Sequence, residues 1–271
     1  MKHNSASLKL MARNNLYGKW GICAGFTSLH SLLVLCLSLC TLPFNGSTNL
    51  AGTIVYIIIL WINTVQSSVL STGASYFYLN ICRGREFRIS DLFAAFKMNP
   101  DRFIIVGLIT SGISLLIQIP LYVYPYTNPN MDFIHLIILT VVCSIASTLV
   151  SVIVSMFIGL SNYLLLDFPE MGAMDAMRLC ITLMRGNKWR YFYTTDLSFI
   201  GWSILSSLSF GIGSLWITPY MIMTRTYFYC DVLEQLKTDN DDEMNIDPQM
   251  HLDDEMVHDD EMVHNDETPL Q

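Results

Sequence analysis

The sequence predicts an all-α integral membrane protein in which six transmembrane helices form three repeated hairpins, with amphipathic helices at the cytoplasmic interface. Two observations lead to this prediction: the chain contains long apolar segments, and one pattern of short motifs occurs three times along it. Of the 271 residues, 52% are hydrophobic and only 14% are charged. Soluble domains carry about 25% charged residues, so the composition indicates a chain that lies mostly in lipid.

Five apolar segments are long enough to cross a bilayer, which takes about 20 residues of α-helix. They cover residues 22–42, 54–77, 103–124, 133–166 and 197–229. Inside lipid, backbone polar groups must be hydrogen-bonded within the protein, which leaves helices or closed barrels. Barrel strands alternate polar and apolar residues. These segments do not alternate, so they are predicted to be helices.

The repeated pattern consists of a short amphipathic stretch, a basic–aromatic pair and a long apolar stretch. The three pairs are Lys19-Trp20, Arg102-Phe103 and Lys188-Trp189. Each apolar stretch ends in a segment that contains aromatic residues and finishes with a polar residue. We call these segments, residues 75–80, 162–167 and 226–231, the aromatic endings. This recurrence predicts three helical hairpins.

The distribution of basic residues predicts the orientation. Thirteen Lys and Arg lie before the first helix or in the segments 82–102 and 167–190, and the loops 43–50 and 125–132 contain none. Basic loops remain in the cytoplasm. The basic segments are therefore predicted to face the cytoplasm.

The last apolar stretch, residues 197–229, is long for one helix and short for two. Gly211 and Gly213 lie near its middle, and glycine permits a tight reversal. The endings near Asn80 and Asp167 fall on the basic side, and by analogy the ending near Asp231 does too. An even number of crossings follows, with both termini cytoplasmic. The alternative is five crossings, with the C-terminal tail outside.

The amphipathic stretches cover residues 5–17, 90–103 and 170–186. An apolar face beside Lys and Arg is typical of a helix in the headgroup region, where anionic lipid adds about 1 kcal/mol per nearby basic residue. The candidate lipid contacts are Phe93, Phe96, Met177, Arg178 and Arg185. The alternative is that these helices are elbows packed under the bundle.

Polar residues at membrane depth are costly and usually functional. The candidates for a polar path or a partner contact are His30, Gln66, Asn162, Asp196 and Arg225. The competing interpretations are a hydrogen-bonded core histidine at position 30 and an Arg225 side chain that reaches the interface. Asp196 and Arg225 would pair if the last hairpin closes.

No motif indicates catalysis, a cofactor or a metal. The sequence contains no HExxH, no GxSxG and no Gly-rich phosphate loop, so a non-enzymatic role is expected. The basic residues follow the topology rule and form no separate nucleic-acid patch.

The net charge of −8 arises from the C-terminus. Thirteen of the 23 acidic residues follow Thr238, where no Lys or Arg occurs, so the rest of the chain carries 15 basic and 10 acidic residues and a charge of +5. Residues 253–258 and 259–264 both read DDEMVH. High charge and low hydrophobicity predict disorder. We therefore divide the chain into a membrane domain, residues 1–237, and an acidic disordered tail, residues 238–271.

The most distinctive sequence motifs lie in the third hairpin. They are residues 186–190, 197–202 and 211–213 and the pair Pro219-Tyr220, and the hairpin ends at Tyr229. With a looser match around Arg13 and residues 18–20, it resembles an uncharacterised family of bacterial multi-pass membrane proteins, domain of unknown function 975. The resemblance spans most of residues 5–236. It implies a location in the bacterial cytoplasmic membrane and transfers no activity.

Two functions are favoured at the level of sequence, ahead of an intramembrane enzyme. The first is a membrane scaffold or accessory component that binds anionic lipid or a partner membrane protein. The second is a permease or channel for a small solute, with His30, Gln66, Asn162 and Arg225 lining the path.

Overall fold

A computed structural model describes residues 3–44, 50–128 and 132–260, and the described residues contain helices and no strand. The chain divides into two compact units, one of residues 3–229 and one that includes residues 230–271. The α-helices are α1 (Ser5–Leu16), α2 (Trp20–Leu39), α3 (Leu50–Cys82), α4 (Ala94–Lys97), α5 (Pro100–Thr127), α6 (Phe133–Ile158), α7 (Ser161–Asp167), α8 (Ala173–Leu183), α9 (Lys188–Thr195), α10 (Ile200–Leu208) and α11 (Ser214–Asp260). Short 3₁₀ helices cover Leu42–Phe44, Ile89–Phe93 and Leu197–Phe199.

Four helical segments of the described chain are long and apolar enough to cross a membrane. They are Trp20–Leu39, Ala51–Cys82, Pro100–Tyr124 and Phe133–Asp167. Each overlaps one of the first four apolar segments of the sequence. The prediction of a helical chain with several membrane-spanning segments is therefore confirmed for these four.

The last apolar stretch differs from the predicted pair of crossings. α10 has only nine residues, which is about 13 Å of helix against a hydrocarbon core of about 30 Å. It stops at a left-handed turn in which Phe210 and Gly211 have φ angles of 53° and 85°. The Gly211 amide donates to Ser206 O at 2.9 Å and the Phe210 amide to Ser207 O at 3.2 Å, the pattern of a Schellman cap. Six full crossings are not confirmed, because this cap ends α10 early.

The threefold sequence pattern has a local structural counterpart. A short helix is followed by a residue with positive φ, which is Gly18 (77°), Asn99 (49°) or Gly186 (77°). The next helix then starts at Trp20, Pro100 or Lys188. Only glycine, and less readily asparagine, adopts this conformation at low cost, which explains the residue type at each of the three turns.

The basic residue of each pair lies near an aromatic ring. Lys19 Nζ is 5.9 Å from the centroid of Phe87, and Lys188 Nζ is 3.6 Å from that of Phe157. Arg102 Cζ is 5.8 Å from the ring of its neighbour Phe103. Such contacts contribute about 0.5–2 kcal/mol each. The pairs therefore have a packing role in addition to the orientation role that the sequence suggested.

Buried side chains concentrate where the aromatic endings of the sequence lie. We call residues 74–82, 160–167 and 223–229 the packed region. Its fully buried side chains include Phe77, Tyr78, Tyr163, Leu164 and Phe228, each at most 2% exposed. Phe77 also stacks on Phe26 of α2, with ring centroids 3.9 Å apart.

Residues 51–66 of α3 and 133–153 of α6 form a contrasting set, which we call the exposed region. Ile54, Ile58, Ile137 and Leu149 are 46–60% exposed. Large apolar side chains at such exposure suit contact with lipid tails, which are as apolar as leucine.

The predicted disorder of residues 238–271 stays a prediction. α11 is assigned through Asp260, and the side chains after Thr238 lie outside the described residues.

Candidate ligand-binding cavity

A cavity of about 260 Å³ lies between α2, α3, α7 and α11. This volume is slightly below the range of about 300–1,000 Å³ that holds drug-sized ligands. The lining combines aromatic rings, hydroxyl groups and two basic side chains; its members are Phe26, Thr27, His30, Ser71, Ala74, Ser75, Tyr78, Tyr163, Thr218, Ile222 and Arg225. The cavity therefore has room and polar groups for a small ligand or for part of a larger one.

The hydroxyl groups of Thr27, Tyr78 and Tyr163 in the cavity lining form hydrogen bonds within the protein. Thr27 Oγ1 and Tyr78 OH are 3.2 Å apart, across α2 and α3. Tyr163 OH and Thr226 Oγ1 are 3.3 Å apart, across α7 and α11. These bonds fix the aromatic walls, because a buried hydroxyl without a partner costs free energy.

The two basic side chains of the lining differ from these hydroxyls. His30 Nε2 and Arg225 Nε are both buried and make no hydrogen bond with any described residue. Within the described part of the chain, no carboxylate oxygen lies within 4.0 Å of the Arg225 guanidinium. Two residues of the cavity lining thus each have one buried nitrogen, His30 Nε2 and Arg225 Nε, without a hydrogen-bond partner in the described part of the chain.

Arg225 lies beside the buried Tyr191, with the guanidinium carbon 5.9 Å from the ring centroid. Burial raises the pKa of Tyr191 to about 12, the nearby Arg225 charge opposes this rise, and Asp196 adds to it. Asp196 accepts a hydrogen bond of 2.8 Å from Thr195 Oγ1. The expected Asp196–Arg225 pair does not form an ion pair in the described structure, although both groups act on the same tyrosine.

An ionic cluster next to the cavity joins three helices. Arg83 binds Asp167 through two bonds, of 2.5 Å to Oδ1 and 2.6 Å to Oδ2. Tyr229 OH donates to the same Oδ2 at 2.6 Å. The rings of Tyr229 and Tyr163 stack at 5.1 Å. The second and third aromatic endings of the sequence thus supply Tyr163, Asp167 and Tyr229, and Arg83 lies three residues after the first ending.

Sequence reasoning missed this cluster. It treated Arg83 as an orientation charge and Asp167 as a segment boundary. The signal that could have found it is the repeated polar residue at the end of each aromatic run, since a carboxylate there can accept from a buried tyrosine and a bidentate arginine.

The cavity brings together only two of the five predicted polar-path residues, His30 and Arg225. Gln66 lies on an exposed face of α3, and Asn162 and Asp196 are half-buried outside the lining. Asn162 Oδ1 is buried without a hydrogen-bond partner among the described residues. A helix turns about 100° per residue, so Tyr163 and its neighbour Asn162 point in different directions.

The predicted lipid contacts separate into two groups. Phe93 and Phe96 are 43% and 45% exposed, with ring centroids 6.4 Å apart, and Arg178 and Arg185 are exposed. Met177 is only 6% exposed, so its assignment as a lipid contact needs correction. It belongs to the face of α8 that packs against α5, α6 and α7, because the apolar stripe of a short helix is the face that the protein buries.

Comparison with known proteins gives a family and no activity. No curated protein and no solved structure matches the chain. The model of the family described as "Protein of unknown function (DUF975)" matches residues 1–236, ending two residues before the acidic tail begins. Since this match covers far more than half of the 271 residues, the chain belongs to the DUF975 family.

Proposed function

We propose that the protein is a non-enzymatic scaffold or accessory component of the bacterial cytoplasmic membrane, which binds anionic lipid or a partner membrane protein through its basic face. The observation that carries this proposal is the cluster of Phe93, Phe96 and Lys97, all exposed on the short elements between α3 and α5. Exposed aromatic rings beside a lysine suit the headgroup layer. Exposed Arg178 and Arg185 add positive charge elsewhere on basic segments.

We infer a topology in which the chain crosses the bilayer an even number of times. Four long helices cross the bilayer, and α10 enters it and turns back through the cap at Phe210, which is 98% exposed. An apolar tip of this kind is stable in lipid and costly in water. Both termini then lie in the cytoplasm. An impermeant thiol reagent should fail to label a cysteine placed in the tail of intact cells; labelling from outside would support five crossings.

The test of the function is co-purification from native membranes after crosslinking. We expect a Phe93→Ser/Phe96→Ser variant to lose anionic lipid or a partner protein that the wild type retains. Phe133→Ser is a matched control, because Phe133 is 73% exposed but follows a loop without basic residues. Equal retention by the aromatic variant and the wild type would contradict the proposal.

The cavity favours a second candidate, a permease or channel for a small solute. A transport path needs polar groups at membrane depth, and His30 and Arg225 supply them. Substitution of either residue should then abolish solute flux in reconstituted vesicles while leaving expression unchanged. Unchanged flux in both variants would exclude this route.

A further inference from the structure

We propose that the cavity between α2, α3, α7 and α11 binds an anionic oxygen group, a phosphate or a carboxylate, with Arg225 as its main contact and His30 as a second. This site is independent of the basic aromatic face described above. It holds whether the protein acts as a scaffold or as a permease.

Arg83, Arg102 and Arg225 differ in the partners that the protein supplies. Arg83 donates to both carboxylate oxygens of Asp167. Arg102 donates to the backbone carbonyls of Pro169, Met171 and Met98. Arg225 has neither kind of partner in the described structure, and its Nε is buried. A guanidinium presents a planar set of donors that fits the two oxygens of a carboxylate or phosphate, so this geometry is available at Arg225.

No described residue of the cavity lining is acidic, and nearby Tyr191 stays neutral at physiological pH because its pKa is raised to about 12. The charge of Arg225 is therefore not balanced by a direct contact in the described structure. Arg225 is half-buried and its Nε is buried, and a partly desolvated charge is stabilised by an anionic partner.

Arg225 lies four residues before Tyr229 on α11, about 6 Å along the helix, and Tyr229 binds the Asp167 cluster. Asp167 begins the basic segment 167–190, so the site lies about one helical turn from a segment rich in Lys and Arg. A volume of about 260 Å³ admits a phosphate with a short organic substituent. A lipid headgroup and a free anion share this chemistry.

The experiment uses the full chain in nanodiscs and measures thermal unfolding. In phosphatidylcholine nanodiscs, inorganic phosphate is titrated; in a second arm, phosphatidylglycerol replaces part of the phosphatidylcholine. We expect the wild type to be stabilised in at least one arm. Arg225→Gln should weaken the apparent affinity by about ten- to a hundredfold, as expected for charged hydrogen bonds, and His30→Ala by less. Arg178→Gln, which alters an exposed arginine outside the cavity, should respond as the wild type does.

A second measurement separates binding from a structural role. In phosphatidylcholine without added phosphate, Arg225→Gln should be about as stable as the wild type, because the half-buried charge that it removes forms no ion pair in the described structure. Stabilisation of the wild type by phosphate identifies a free anion as sufficient, and stabilisation by phosphatidylglycerol alone identifies the headgroup. The proposal is overturned if neither probe stabilises the wild type, if Arg225→Gln responds equally, or if that variant is less stable without anion.

Discussion

The packed region and the exposed region occur on the same helices yet are stabilised differently. On α3, Ile54, Ile58 and Ile62 are about half exposed, whereas Phe77, Tyr78 and Ile81 are at most 1% exposed. α6 and α7 repeat this contrast, since the described part of α6 buries only Cys143 and α7 buries five of its seven residues. In the packed region, buried aromatic stacking and hydrogen bonds join α2, α3, α7 and α11. The exposed region makes interhelical contacts to α5, through Trp61–Ser111 and Tyr56–Tyr122, and leaves its large aliphatic side chains half exposed. The packed region therefore holds these helices in place through buried contacts, while the exposed region suits contact with lipid.

The strongest test of this contrast removes the carboxylate at the centre of the packed region. Asp167→Asn should lower the free energy of unfolding by about 1.5–3 kcal/mol, because it removes the carboxylate charge that accepts hydrogen bonds from Arg83 and Tyr229. Chemical denaturation in detergent micelles measures this. The matched control is Glu86→Gln, since Glu86 pairs with Arg88 while both side chains are at least 75% exposed, and such pairs contribute little. Equal effects of the two substitutions would show that the cluster does not hold the helices together.

Two leucines compare the regions directly. Leu164 is fully buried in the packed region, and Leu149 is 60% exposed. Leu164→Ala should lower the free energy of unfolding by about 2 kcal/mol through the cavity that it leaves. Leu149→Ala should have almost no effect, because lipid replaces the lost contact. The same denaturation assay distinguishes them, and a larger loss for Leu149→Ala would reverse the assignment of the two regions.

Substitution of Gly73 on α3 tests how closely the 3₁₀ helix Ile89–Phe93 packs against α3 beside the packed region. A Cβ at Gly73 would lie 1.9 Å from Leu92 O, and a backbone atom cannot move away as a side chain does. We expect Gly73→Ala to lower the free energy of unfolding by about 1–3 kcal/mol. Gly25→Ala on α2 is the control, because no atom lies within 4 Å of its Cβ position and alanine favours a helix. A neutral Gly73→Ala would mean that the 3₁₀ helix Ile89–Phe93 can shift without cost.

The sequence was sufficient where a local rule decides the structure. Four of the five apolar segments are helices long enough to cross a membrane, and Gly211 marked a turn because few residues tolerate positive φ. It was insufficient where the outcome depends on partners distant in the chain. Arg83 and Asp167 are 84 residues apart, and nothing local shows that Arg225 lacks a partner when Asp196 was available. The length of α10 also depends on a cap formed by Phe210, a residue type that sequence patterns do not associate with positive φ.

The cavity was predicted only in part for the same reason. His30 and Arg225 were singled out because charge is rare at membrane depth, and they do line one cavity. Gln66 was singled out by polarity alone, and polarity does not determine the face of a helix. The wall made by Tyr78 and Tyr163 has no signature in sequence, because aromatic residues near a segment end are also typical of an interface.

The smallest expected effect is on the pH dependence of the free energy of unfolding. This measurement tests whether Tyr191 of α9, which contacts the packed region, is buried as well. The ring of Tyr191 is 5.2 Å from that of Phe228, and burial raises its pKa from 10.0 to about 12. Above about pH 10 the unfolded chain releases the Tyr191 proton while the folded chain keeps it, so the folded state binds more protons and stability falls as pH rises. The slope contributed by Tyr191 should approach about 1.4 kcal/mol per pH unit between the two pKa values.

Tyr191→Phe should remove this contribution, and Tyr193→Phe, at an exposed tyrosine on the same helix, should not. Parallel slopes for the wild type and Tyr191→Phe would show that water reaches the Tyr191 hydroxyl and that the packed region ends before α9.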